Sequence, residues 1–323
     1  MGVINTTPDS FFPFSRKISI KKGVATALKM VSEGADIIDI GGESTRPGSS
    51  YIDEKEELKR VIPVLKEIAA NIKIPVSVDT RKSRVAYEAI NAGAVIINDI
   101  SSMEDDPAMA EVIKDVGCDI IIMHKAGIPS NMQKNIFYND DKVSANLQVM
   151  GEKNGGEPPE GYPFSSPTYT KVFMEQLIAE VYQKLENLTK NAISKGIDES
   201  KITIDPGLGF GKTADDDIAI INSIAYLKKL GFPVLIGHSR KSFIGTITGK
   251  NVEERLAGSL AAGIVSLING ADILRVHDVK ETSDTVKIVD AFMLAEQGRY
   301  SVIPLQTPAF TGACSIHTGV EEC

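Results

Sequence analysis

Eight short apolar, β-rich runs alternate with longer stretches of helical apolar spacing along this chain, and each run ends in a polar cluster. The runs are Gly2–Asn5, Asp36–Ile40, Val76–Asp79, Val95–Asn98, Ile120–Met123, Ile202–Asp205, Val234–Gly237 and Ile273–Val276. Between them apolar residues recur at spacings of three and four, as in Val61, Leu65 and Ile68, or Val286, Val289 and Phe292. Such alternation is the sequence form of βα units around a parallel sheet. Several runs are preceded by glycine, namely Gly34, Gly93, Gly117 and Gly270, where a helix C-cap is expected. Eight units in 323 residues predict an α/β fold, a (β/α)8 TIM barrel in a single domain. A doubly wound open sheet is the alternative that the hydrophobic pattern leaves open.

The barrel is expected over residues 1–300. A polar segment rich in Gly and Pro, about 139–170, reads as an exposed insertion after strand five. The stretch 301–323 lacks helical periodicity and reads as a C-terminal extension. The abrupt start at Met1 suggests further sequence in front, or a fused upstream domain.

A net charge of −8 argues against nucleic acid as a partner. No apolar run approaches the roughly 18 residues that cross a bilayer, and no signal peptide is evident. Cys118, Cys314 and Cys323 are odd in number and lack metal-ligand spacing, so the expected setting is reduced and cytoplasmic. Cys118 reads as a buried small hydrophobe.

In a barrel of this kind the chemistry sits at the C-terminal strand ends. Here those ends carry Asn5 to Phe11, Gly41 to Gly48, Asp79-Thr-Arg81, Asn98-Asp99, His124-Lys125, Asp205 to Thr213, His238 to Ser242, and Arg275-Val-His-Asp278. Asp79, Asn98 and Asp205 suit the amino-imino edge of a flat heterocycle, because a carboxylate accepts two parallel N–H bonds. Thr45, Arg46, Lys241, Arg275 and His277 supply donors and charge for a phosphate or pyrophosphate. The adjacent cations Arg240 and Lys241, just before a helix, read as an anion site. Asn5 is placed to complete an oxygen shell for Mg²⁺. Gly207 to Thr213 approaches a phosphate-binding P-loop, but Pro206 stands where the first glycine is required.

Seven ordered motifs carry a resemblance. They are Asn5-Thr-Thr-Pro-Asp-Ser-Phe11, Asp39-Ile-Gly-Gly-Glu-Ser-Thr-Arg-Pro-Gly48, Ser77-Val-Asp-Thr80, Asn98-Asp-Ile100, Asp205 to Thr213, Ser239 to Gly245, and Arg275-Val-His-Asp278. From Met1 to about Ala295, the insertion excepted, the chain resembles the dihydropteroate synthase family. The resemblance implies a transferase of folate biosynthesis and a sulfonamide target. It implies condensation of p-aminobenzoate with 7,8-dihydropterin-6-ylmethyl diphosphate, with Mg²⁺ as cofactor and a homodimeric assembly. It assigns the pterin to Asp79, Asn98, Asp205, Lys241 and Arg275, and the diphosphate to Asn5, Thr45, Arg46, Arg275 and His277, with Asn5 reaching the metal. Phe11, Pro47, Phe210, Lys241 and Ser242 form the implied p-aminobenzoate site. Catalysis falls to Asn5, Asp9, Arg46, Lys241, Arg275 and His277.

The first loop departs from the family pattern. Phe12-Pro-Phe-Ser-Arg16 replaces Ser-Asp-Gly-Gly, so Pro13 stands at an aspartate position, while Asp9 remains. Two other readings share the barrel. A pterin-binding corrinoid methyltransferase would use the acidic and amide positions but has no need of Thr45-Arg46 and Ser239 to Ser242. A non-catalytic pterin-binding relative would have lost turnover through the altered first loop.

Overall fold

The computed structural model describes residues 1–6, 16–44, 49, 51–126 and 167–296. Parallel strands alternate with helices throughout. The strands are β1 Gly2–Asn5, β2 Ile38–Gly41, β3 Val76–Asp79, β4 Ile96–Asp99, β5 Asp119–Met123, β6 Ile202–Asp205, β7 Leu235–Ile236 and β8 Ile273–Leu274. Strands β1 to β6 pair in sequence order, and β7 pairs with β8. Parallel bridges Ile204↔Val234 and Gly2↔Val276 join these two sheets on both sides. The amide of Val3 donates to Val276 O at 3.0 Å, and that of Ile204 to Pro233 O at 2.9 Å. The sheet therefore closes on itself as a barrel, and the open-sheet alternative falls away.

Helices α1 Arg16–Ser32, α2 Glu54–Asn71, α3 Ser83–Asn91, α4 Met109–Val116 and α5 Pro167–Ser194 follow the first five strands. Then come α6 Ala214–Asn222, α7 Ser242–Thr248, α8 Leu256–Ile268 and α9 Val279–Glu296. Helix α2 begins where Asp53 accepts from the Glu56 amide at 2.7 Å, and its apolar stripe Val61, Leu65 and Ile68 is fully buried. Each such side chain contributes about 1.5–3 kcal/mol by leaving water. Gly34, Gly93, Gly117 and Gly270 all have positive φ, as helix exits into strands require. Cys118 follows Gly117, and burial pushes its thiol up to about 11.

The period of two along each strand sorts the side chains. Ile38, Ile40, Val76, Val78, Ile97, Ile120, Ile122 and Ile204 pack in the main core with the surrounding helices. Ile96, Ile121 and Leu235 form a separate small cluster with Met1, as expected for the barrel interior. By that alternation Asp39, Asp79, Asn98, Met123, Asp205 and Arg275 also face inward.

The inserted segment was expected to run to Thr170, but α5 begins at Pro167. Its remainder, 139–166, and the extension 301–323 lie outside the described residues. Among the described residues no helix is long and apolar enough to cross a membrane.

Candidate functional site

Register brings the last inward residues of neighbouring strands into one ring. Asn5 pairs with Gly41, Gly41 with Asp79, Asp79 with Asn98, and Met123 with Asp205. Asp79, Asn98, Met123, Asp205, Gly237 and Arg275 line a single cavity, together with Ile100, Leu208, Phe210 and Lys241. It is open to solvent, with about 340 Å³ of space between its walls, open solvent included. All five residues assigned to the pterin from sequence thus meet in one place, with Phe210 beside them.

The electrostatics centre on Arg275. Its Nε and one terminal nitrogen lie 2.7 and 2.6 Å from Asp39 Oδ2, and that nitrogen lies 2.9 Å from Asp79 Oδ2. One cation faces two buried carboxylates, so one negative charge is left over. Burial raises Asp79 to about 7; Arg275 opposes the rise and Asp39 adds to it. Burial works against the Arg275 charge, but Asp39 and Asp79 outweigh it and hold its pKa above the usual value. Asp205 is raised by burial, offset in part by the Gly207 amide, which donates to its Oδ1 at 2.7 Å. Burial lowers Lys241, while Asp217 and Asp205 oppose the shift. Lys241 Nζ sits 4.5 Å from the centroid of the Phe210 ring, a cation–π distance. Asn98 Oδ1 and Asp39 Oδ1 are buried with no hydrogen-bond partner among the described residues. An orphaned acceptor beside two carboxylates is a set that N–H donors of a ligand would satisfy.

Of the other expected positions, Asn5, Ser242 and His277 are described but are not among the residues lining this cavity. Asn5 ends β1, with Oδ1 close to Gly41 in the ring. His277 is exposed two residues beyond Arg275, and its amide and Nδ1 lie 3.2 and 3.1 Å from Ser239 Oγ. Ser242 opens the seven-residue α7 and is exposed. Asp9, Phe11, Thr45, Arg46 and Pro47 lie outside the described residues.

The paired-cation reading of Arg240 and Lys241 needs correction. Arg240 has φ 57, a left-handed conformation that turns it away from Lys241. Its guanidinium makes two bonds to Asp278, at 2.8 and 2.7 Å, and reaches the carbonyls of Val252 and Glu253. It straps the loops after β7 and β8 together, and of the pair Lys241 is the one that lines the cavity. Asp99 likewise faces away from the barrel interior and accepts from the amides of Ser101 and Met103.

Sequence reasoning assigned no role to Asp39, which is fully buried and fixes Arg275 and, more loosely, Asn98. Its signal was the pattern Ile38-Asp39-Ile40-Gly41, which puts the carboxylate on the inward face. Also unassigned were Glu43, Glu57 and Lys82, whose buried ion pairs link the loops after β2 and β3 to α2.

Comparison with known proteins adds to this geometry. The family model for "Pterin binding enzyme" matches residues 1–155 and 160–277. A dihydropteroate synthase of Bacillus subtilis is 38% identical over 293 residues, covering 91% of this chain and 88% of the relative. One of Escherichia coli K12 is 37% identical over 299 residues, covering 93% of both chains. Among solved structures, the Yersinia pestis dihydropteroate synthase with a sulfonamide drug complex has a TM-score of 0.75 at 33% identity, covering 91% of this chain and 93% of the other. The Xanthomonas albilineans dihydropteroate synthase with 4-aminobenzoic acid has a TM-score of 0.73 at 35% identity, covering 91% and 92%.

Proposed function

Since this chain belongs to the dihydropteroate synthases of the pterin-binding enzyme family, we infer that it condenses p-aminobenzoate with 7,8-dihydropterin-6-ylmethyl diphosphate. The products are 7,8-dihydropteroate and pyrophosphate, in folate biosynthesis. The observation that carries this reading is the convergence of Asp79, Asn98, Asp205, Lys241 and Arg275 on one cavity. Pyrophosphate release on mixing both substrates with Mg²⁺ tests it. Pterin binding without release would favour a non-catalytic relative, and methyl transfer to a corrinoid would favour the methyltransferase.

In the proposed arrangement Asp79 and Asp205 accept the amino and imino N–H bonds of the pterin edge, with Asn98 beside them. Lys241 borders both subsites, and Arg275 stacks on the ring. Asn5, Thr45, Arg46, Arg275 and His277 face the diphosphate. Phe11, Pro47, Phe210 and Lys241 wall the p-aminobenzoate subsite, and Ser242 receives its carboxylate. The methylene C–O bond breaks first, and its electron pair leaves on pyrophosphate. The positive charge left behind spreads into the pterin, where the buried carboxylates lower its energy. The aryl amine then forms the C–N bond with its lone pair and gives its proton to solvent or pyrophosphate. An aniline is neutral at the start, so no general base is required.

Among the described residues no group of three or more His, Cys, Asp or Glu is placed to hold a metal. Asn5 offers one neutral oxygen, a donor that fits Mg²⁺, an ion that takes few protein ligands beside substrate phosphates. When bound there, the ion neutralises charge on the leaving group. Asn5 would hold it, with Asp9 and Arg46 acting beside the diphosphate. The proposed setting is the cytoplasm, with the barrel spanning 1–300, the insertion ending before α5 at residue 166, and the extension 301–323.

A proton count tests the Asp79 assignment. Ligand N–H donors stabilise the ionised carboxylate, so a residue poised at about 7 should lose its proton when the pterin binds. Calorimetry in buffers of different ionisation enthalpy should show release approaching about one proton near pH 6 and about none near pH 8.5. Equal release at both pH values would remove Asp79 from the ring edge.

The assembly we propose is a homodimer through α8 and α9. Helix α8 is inverted: Ser259, Gly263 and Ser266 are buried, while Ile264, Val265 and Ile268 are exposed. On α9, Ile288 and Phe292 are exposed, Phe292 at 72%, although its spacing from Val289 had suggested a core position. Apolar residues turned outward on adjacent helices mark an interaction face. The parent is expected to sediment as a dimer at micromolar concentration, and Phe292→Asp as a monomer that still folds. A monomeric parent would contradict the assignment.

A further inference from the structure

The loop leaving β6 runs unusually close to the end of β5. Gly207 has φ +68, and a Cβ there would lie 1.9 Å from His124 O. Gly211 has φ +69, and a Cβ there would lie 2.4 Å from Ala126 O. Only glycine permits this approach at both points. The close contact turns several carbonyl oxygens toward one spot, and the Lys212 ammonium occupies it. Lys212 Nζ lies 2.9 Å from Gly207 O, 3.3 Å from Phe210 O, 3.5 Å from His124 O and 2.9 Å from His124 Nδ1.

Burial holds His124 well below its usual pKa, with Lys212 adding to the shift, so its ring is neutral and Nδ1 accepts from the ammonium. Burial also lowers Lys212 to about 8, while Asp217, Asp205 and Asp216 oppose the shift and Lys241 adds to it. Backbone amides of the same loop are also held, by carboxylates. The Gly207 amide donates to Asp205 Oδ1 and the Gly209 amide to Asp217 Oδ1, each at 2.7 Å. Lys212 does not line the cavity, whereas Phe210 and Asp205 do.

We propose that Lys212 is a positioning residue whose ammonium clamps the β6 loop to the end of β5 and so fixes Phe210 opposite Lys241, where p-aminobenzoate is held. This rests on the function inferred above. The carbonyls it clamps have second partners: Gly207 O also accepts from the Phe210 amide, and Phe210 O from the Ala126 amide. An apolar side chain of similar length therefore leaves these oxygens partly satisfied. The loop loosens while the barrel stands. Asp205, anchored on β6 itself, keeps its place, so the two subsites respond differently.

The test is Lys212→Met, assayed with both substrates and Mg²⁺ alongside the parent. KM for p-aminobenzoate should rise roughly tenfold or more, while the pterin Kd stays within about twofold. A Lys212→Ala variant should regain affinity for p-aminobenzoate on adding ethylammonium but not tetramethylammonium, which has no N–H to donate. A soluble Lys212→Met with unchanged KM for p-aminobenzoate overturns the proposal. So does an equal loss for both substrates, which marks a merely structural role. Should Lys212→Met fail to fold, the selective amine rescue of Lys212→Ala decides, and its absence overturns the proposal. A parent that releases no pyrophosphate would instead sink the function, and this inference with it.

Discussion

Asp205→Ala is expected to abolish pterin binding while the protein remains folded. Asp205 ends β6, is 7% exposed and faces the cavity. Its Oδ1 takes the Gly207 amide, which leaves Oδ2 and the remaining lone pair of Oδ1 toward the ligand. Two parallel N–H donors of a buried heterocycle would lose their acceptors in the alanine variant. Each unsatisfied buried group costs about 1–3 kcal/mol, and more when the lost partner was charged. Affinity should therefore fall roughly a thousandfold or more, in line with sites that reject ligands they cannot hydrogen-bond. Titration calorimetry with the pterin reads this directly. Asp205→Asn separates recognition from folding. It keeps an acceptor for the Gly207 amide, so thermal unfolding should change little. Yet its own NH₂ would meet the ligand N–H groups or displace the only oxygen, so binding should still be lost. Parent-like affinity in either variant would remove Asp205 from the ring edge.

How much of this was legible depends on what each residue type can announce. The strands β1, β3 and β6 fall on the expected residues, because each is a short apolar run with a polar stop. Closure was less visible: it rests on the bridges Gly2↔Val276 and Ile204↔Val234, between strands whose pairing no local pattern states. The pterin ring of residues was readable because polar side chains at strand ends in a barrel must converge. Asp39 was quoted within a motif and yet given no role, because a carboxylate inside an apolar run looks like an interruption until the period of two places it inward. The pair Arg240 and Lys241 shows the opposite failure. Adjacent cations look alike in sequence, and only the left-handed backbone at Arg240 sends one to Asp278 and the other to the cavity. Phe292 was misplaced because helical spacing finds a face without saying what covers it. Asp9, Phe11, Thr45, Arg46 and Pro47 lie outside the described residues, so the diphosphate side of the site rests on sequence more than the pterin side does.

Arg275→Met should be the most destabilising change in the site, and its cost should depend on pH. Arg275 is the cation that holds Asp39, at 0% exposure, and Asp79, at 8%. Removing one partner of a buried ion pair costs about 3–5 kcal/mol, because the remaining charge is left uncompensated. Here two carboxylates would be left facing each other, and Asp79 would hold its proton more tightly. A carboxylate whose folded pKa exceeds its unfolded value favours the fold below the unfolded value. That contribution is lost as pH rises through the folded pKa. The parent already has this tendency at Asp79, poised at about 7. Without Arg275 the loss should be steeper, so urea unfolding should find the variant nearer to the parent at about pH 5 than at about pH 8. The double variant Asp39→Asn with Arg275→Met removes the charge that was stranded, and should recover much of the stability at neutral pH. Turnover should not recover, because the group proposed to stack on the pterin and meet the diphosphate is still absent. Stability and activity therefore separate across this double-mutant cycle. A pH-independent cost, or a double variant less stable than Arg275→Met alone, would mean that packing of the Arg275 stem, and not its charge, holds the barrel mouth together.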